Sequence, residues 1–169
     1  MRPIEDEMLK SLGQISINIA KLHGYVSDLA ARIVGQRGRA FILSDALLAT
    51  TSLRQTTDIC EAMFRRLATN RQFVTRLDDI MKRVRTAEAQ RNLFVHSRWL
   101  TVDEKEEHAV LTKGRRSHEL GIEYTLNTFN LEDFESLAKE LQDIIYEIIS
   151  FIGDVSQGGD FAGEAPHSA

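Results

Sequence analysis

A chain of 169 residues is one domain's worth, long enough to bury a substantial hydrophobic core. Its 43% hydrophobic and 27% charged residues are ordinary for a globular protein. Its single cysteine, Cys60, excludes an internal disulfide and a cysteine metal cluster, which fits a reducing, cytoplasmic setting. No apolar run of 18 residues occurs, and the first residues are acidic and polar, unlike a signal peptide, so no membrane association is expected.

The net charge of −4 hides an asymmetry. From Arg65 to Arg98 there are nine lysines and arginines against three acids, Asp78, Asp79 and Glu88. From Glu119 onward, eleven acids face one lysine, Lys139. A basic third inside an acidic chain marks either a site for an anionic polymer or a helix face that pairs with the acidic last helix. Prolines stand only at positions 3 and 166, and a proline-free interior favours long helices.

In the first segment, about 4–34, Leu12, Ile15, Ile19, Leu22, Val26, Leu29 and Ile33 recur in steps of three and four. This heptad seam predicts a long helix able to serve a neighbouring helix or a dimer partner. Gly13 and Gly24 weaken it by about 1 kcal/mol each relative to alanine, and the apolar line continues through both. His23 lies beside the seam and reads as structural. Gly35-Gln36-Arg37-Gly38 reads as a turn.

A second helix is expected over about 39–69, with Ile42, Ala46, Ala49, Leu53, Cys60, Phe64 and Leu67 on its apolar side. Ala49-Thr50-Thr51-Ser52 permits close helix approach, but its β-branched residues leave packing to hold it helical. Cys60 falls on the apolar line and reads as inert core. Asn70 suits a cap, and a third helix follows over about 71–99 with Phe73, Leu77, Ile80, Val84 and Ala87 as its seam. Continued by sevens, Leu77 and Val84 lead to Arg91 and Arg98, so arginine replaces an aliphatic residue on the buried line. A buried arginine is costly unless paired. Arg91 therefore either salt-bridges to an acid of the last helix, such as Glu140 or Glu147, or lines a cleft and binds phosphate.

After Trp99 the helical period stops. His108–Lys113 and Ile122–Phe129 have strand character, and Lys113-Gly114-Arg115-Arg116 links them, so a small antiparallel hairpin is expected. Its basic residues, with His118, either help hold an anionic polymer or form a solvated tip. The last helix begins after Asn130 as cap, with Glu132 and Asp133 in its first turn. Phe134, Leu137, Leu141, Ile145, Ile148 and Ile152 form its stripe, widened by Ile144 and Ile149, and it should end near Gly153.

The segment carrying the most chemistry is Arg91-Asn92-Leu93-Phe94-Val95-His96-Ser97-Arg98-Trp99. Glu88, Asn92 and His96 follow one another at single-turn spacing on one helix face, and Arg91 and Arg98 lie on the neighbouring line. A titratable imidazole beside fixed positive charge suits a phosphodiester, where a proton moves and negative charge builds up. No Walker loop, dinucleotide fingerprint, HExxH or Gly-x-Ser-x-Gly occurs, and His108 and His118 are too isolated to propose a metal site.

The run Arg91–His96 resembles the Arg-x4-His signature of the HEPN superfamily, small all-helical domains many of which are metal-independent ribonucleases. In that family a polar residue commonly follows the arginine, as Asn92 does here. The resemblance implies a homodimer joining two copies of the motif in one cleft, with no metal and no cofactor. His96 would act as base or acid on the ribose 2′-hydroxyl and the leaving oxygen. Arg91 would hold the scissile phosphate, and Asn92 would orient one or the other. Products would carry 2′,3′-cyclic phosphates. Arg98, Arg85, Lys113, Arg115 and Arg116 are the candidate RNA-binding residues around this centre. Such domains often belong to toxin–antitoxin or antiviral systems, sometimes beside a nucleotidyltransferase partner. The alternative is a catalytically silent helical interaction module that dimerises through the first helix. The expected architecture is mainly α: an antiparallel four-helix bundle over residues 1–153, a β-hairpin inserted at about 101–129, and a disordered tail at 154–169.

Overall fold

The computed structural model describes residues 6–34, 42, 46, 48, 50–96, 98–101, 108–117 and 121–158, with the strands up to residue 126 described by their backbone. The chain is mainly α, a helical bundle. Its described elements run α1 (Asp6–Val34), α2 (Leu53–Leu67), α3 (Arg71–His96), β1 (Arg98–Thr101), β2 (His108–Ser117), β3 (Gly121–Phe129) and α4 (Leu131–Gly158). Among the described residues no helix is long and apolar enough to cross a membrane.

The chain divides into two compact units, Met1–Ile19 with Thr86–Gln142, and Ala20–Arg85 with Asp143–Ala169. The first contains the three-stranded antiparallel sheet, ordered β1-β2-β3. Its core holds Met8, Ile15, Ala87, Phe94, Phe134, Leu137 and Leu141, all buried. Asn18 is buried among them with both ends of its carboxamide engaged. Its Nδ2 donates to the Ala138 carbonyl at 3.0 Å, and its Oδ1 accepts from Gln14 Nε2 at 2.9 Å. Such pairing is what makes a buried carboxamide tolerable.

The second unit buries Leu22, Val26, Leu29, Phe64, Leu77, Ile80, Met81, Val84, Ile144, Ile148 and Phe151. Phe151 is its aromatic centre, edge-on to Phe64 at 5.5 Å and to Phe73 at 6.0 Å, with the Arg76 guanidinium 5.5 Å from its ring centroid. Cys60 is buried here, and burial followed by the neighbouring Glu61 charge pushes its thiol pKa far up. The thiolate is the reactive form. Cys60 is therefore expected to resist thiol reagents in the native protein and to react once denaturant is added. The raised native pKa also has a sign. The unfolded thiol ionises first, so this group's contribution to stability is full below the unfolded cysteine pKa and lost as pH rises above it.

The helix starts follow local chemistry. Asn70 Oδ1 accepts from the Gln72 amide at 2.9 Å, as a cap should. At α4, Asn130 and Asp133 satisfy each other's backbone amides, at 3.1 and 2.8 Å. Phe129, just before the cap, meets Phe134 in the first turn, with ring centroids 6.4 Å apart. That combination is a capping box closed by a hydrophobic staple.

Several expected features are corrected. The second helix is not continuous over 39–69. Thr50 and Thr51 lie in a turn, and Ser52 caps a new helix through a reciprocal pair with Gln55. The β-branched run favours the break, and Ser-x-x-Gln supplies two acceptors for the orphan amides of α2. Ser52→Ala is expected to cost about 1 kcal/mol, read as a lower urea midpoint with unchanged slope. Ile42 and Leu67, expected on the apolar side, are 68% and 57% exposed; Ala49 and the turn at 35–38 lie outside the described residues. On α1, Leu12 and Ile19 are half-buried while Ser11 and Asn18 take the buried line, because a 3.6-residue helix drifts against a strict seven-residue repeat. On α4, Ile149 is exposed and Ile152 half-buried, whereas Phe151 and Val155 are buried. That helix continues to Gly158, past the expected end near Gly153, and residues 159–169 of the expected tail lie outside the described residues.

The hairpin is present with a third strand added. β1 pairs with β2 from Arg98↔Leu111 to Thr101↔His108, and β2 pairs with β3 from His108↔Phe129 to Ser117↔Gly121. Lys113-Gly114-Arg115-Arg116 is not the tip. It lies within β2, where the register shifts between Lys113 and Arg116 in the manner of a bulge.

Candidate functional site

The last turns of α3 carry Arg91, Asn92 and His96, and His96 is the final helical residue. The helix had been expected to reach Trp99. Instead Arg98–Thr101 form β1, and backbone pairing with β2 takes the place of further helical bonds. Arg98 consequently leaves the line of Arg91, and its side chain lies outside the described residues.

Phe94 anchors this end of α3. It stacks on Phe134 at 4.2 Å with 29° between planes and meets Phe129 edge-on at 4.8 Å. The inward face of the turn is thus fixed by aromatics, and the outward face bears Asn92 and His96, both exposed. Arg91 lies between, half-buried. Its Nη1 donates to Asn92 Oδ1 at 3.0 Å and to His96 Nε2 at 3.3 Å. Its Nε is buried and meets no hydrogen-bond partner among the described residues.

The three motif residues therefore form one cluster at the surface. A guanidinium has donors only, so the contact requires a lone pair on Nε2. Within the first unit Arg91 makes no ion pair among the described residues, and in the second unit Arg83 holds the Glu147 carboxylate.

Other arginines of the basic stretch are differently occupied. Arg65 pairs with Asp78 at 3.0 Å, and Arg76 with Asp154 at 2.6 Å, a bond that holds the Asp154 carboxyl below its ordinary range. Arg85 grips Glu61 with both terminal nitrogens, at 2.8 and 2.9 Å, and reaches Asp58 at 3.4 Å. The Glu61 hydrogen bond raises the Arg85 pKa further, against some desolvation. Arg85, a candidate RNA contact, is thus tied to α2. Lys113, Arg115 and Arg116 stand on β2, their side chains outside the described residues, as is all of His118. The structure brings together Arg91, Asn92 and His96.

His23 donates to or accepts from Thr56 Oγ1 at 3.2 Å, in keeping with a structural role. Among the described residues no three His, Cys, Asp or Glu side chains are grouped so as to hold a metal. Sequence reasoning missed the Phe94–Phe129–Phe134 anchor. Its signal was present in Phe129-Asn130-x-x-Asp133-Phe134, a staple and capping box written in order. No family model matches the chain, and no curated protein or solved structure matches it.

Proposed function

We propose that this chain is a metal-independent endoribonuclease of the HEPN type. The observation that carries the reading is the state of Arg91. Four arginines of the same stretch are neutralised by carboxylates. Among the described residues Arg91 donates instead to two neutral acceptors, Asn92 and the imidazole of His96. A fixed charge that meets no carboxylate among the described residues, within hydrogen-bond reach of a proton acceptor, is suited to a phosphodiester.

His96 Nε2 takes the proton of the ribose 2′-hydroxyl as its oxygen bonds to phosphorus. The bond from phosphorus to the 5′ oxygen breaks, and the leaving oxygen receives a proton from the histidine of a second copy. Arg91 holds the non-bridging oxygens as charge accumulates, and Asn92 keeps the guanidinium in place. The products are a 2′,3′-cyclic phosphate and a 5′-hydroxyl. A homodimer supplies the second histidine, and a toxin or defence role, with an antitoxin or nucleotidyltransferase partner, fits such an activity. The test is cleavage of labelled RNA in EDTA by wild type and His96→Ala, with end-group analysis of the products.

A second reading, a catalytically silent interaction module, is favoured by one observation. Arg91 Nη1 is already bonded within its own chain, to Asn92 and His96. Intact RNA with both proteins, across a varied RNA pool, would select it.

A further inference from the structure

We infer that Arg91 is a positioning residue for His96, fixing the imidazole as its Nδ1–H tautomer so that Nε2 is held in its basic form. The use of that base rests on the ribonuclease reading above; the tautomer does not.

The donors and acceptors that each group can offer decide the tautomer. All hydrogens on a guanidinium nitrogen point outward and no lone pair is available, so Arg91 can only donate. Its Nη1 lies 3.3 Å from His96 Nε2, which must therefore accept. A neutral imidazole has one donor and one acceptor nitrogen, so the proton resides on Nδ1. An isolated imidazole side chain prefers the opposite form, with the proton on Nε2. The neighbour thus selects the form in which Nε2 is a base.

The test reads the ring nitrogens of the full chain by nitrogen-15 NMR, at a pH where the imidazole is neutral. Wild type should show His96 with Nδ1 protonated and Nε2 bare. Arg91→Met should revert to a population dominated by Nε2–H, and Arg91→Lys, which restores a donor, should recover part of the Nδ1–H form. A wild-type ring already protonated mainly on Nε2 overturns the inference without recourse to any variant. Absence of RNA cleavage alone would defeat the ribonuclease reading and leave the tautomer result standing.

Discussion

His96→Ala is expected to lower RNA cleavage in EDTA by roughly 100- to 10,000-fold, the range associated with loss of one positioned proton-transfer group. The substitution acts at an exposed position, so stability should change little, and unfolding midpoints of the two proteins should agree. That separation makes the assay informative, since a loss of activity with an unchanged midpoint assigns the effect to chemistry. Cyclic-phosphate ends in the wild-type products would identify the 2′-hydroxyl as nucleophile. Undiminished cleavage by His96→Ala would place catalysis elsewhere and end the proposal.

Phe134→Ala should have the largest effect on stability, about 3–5 kcal/mol for removal of a fully buried phenylalanine. The ring is in contact with both Phe94 and Phe129, so truncation removes two aromatic pairings and the staple at the start of α4 together. Urea unfolding followed by circular dichroism reads the loss directly. Activity should fall in parallel even where the protein remains folded, because Phe94 is what holds the His96-bearing turn against the first unit. A loss under 1 kcal/mol would fall below what truncation of a buried phenylalanine produces and would overturn Phe134 as the anchor of this end of α3.

How much of this was legible depends on whether the deciding interaction is local. The long helices were, because their apolar residues recur at helical spacing over many turns, as in Leu77, Ile80, Val84 and Ala87. Caps at Asn70 and Asn130 were legible for the same reason, since each bond closes within three residues. The break at Ser52 was equally local but competed with an apolar line that ran through it. What escaped was decided at a distance. Arg98 was extrapolated along the helix, whereas its backbone pairs opposite Leu111. Arg85 looked available, and its counter-ion Glu61 lies 24 positions earlier on another helix. The site itself was half legible. Arg91, Asn92 and His96 stood out as residue types, but positions five apart on a helix are separated by about 140° of rotation, so nothing in the spacing announced the Arg91–His96 contact. The length of the arginine side chain closes that gap.

The hydrogen bond from Asn18 to the Ala138 carbonyl has a consequence for assembly of the first unit. Aliphatic contacts between helices are nearly indifferent to translation by one turn, because each rung resembles the next. Slipping α1 by about 5.4 Å along its axis would exchange one set of apolar neighbours for a similar one. It would also strand a carboxamide in an apolar layer, at roughly 1–3 kcal/mol. One amide thereby acts as an index mark, turning a ladder of near-equivalent alignments into a single permitted one.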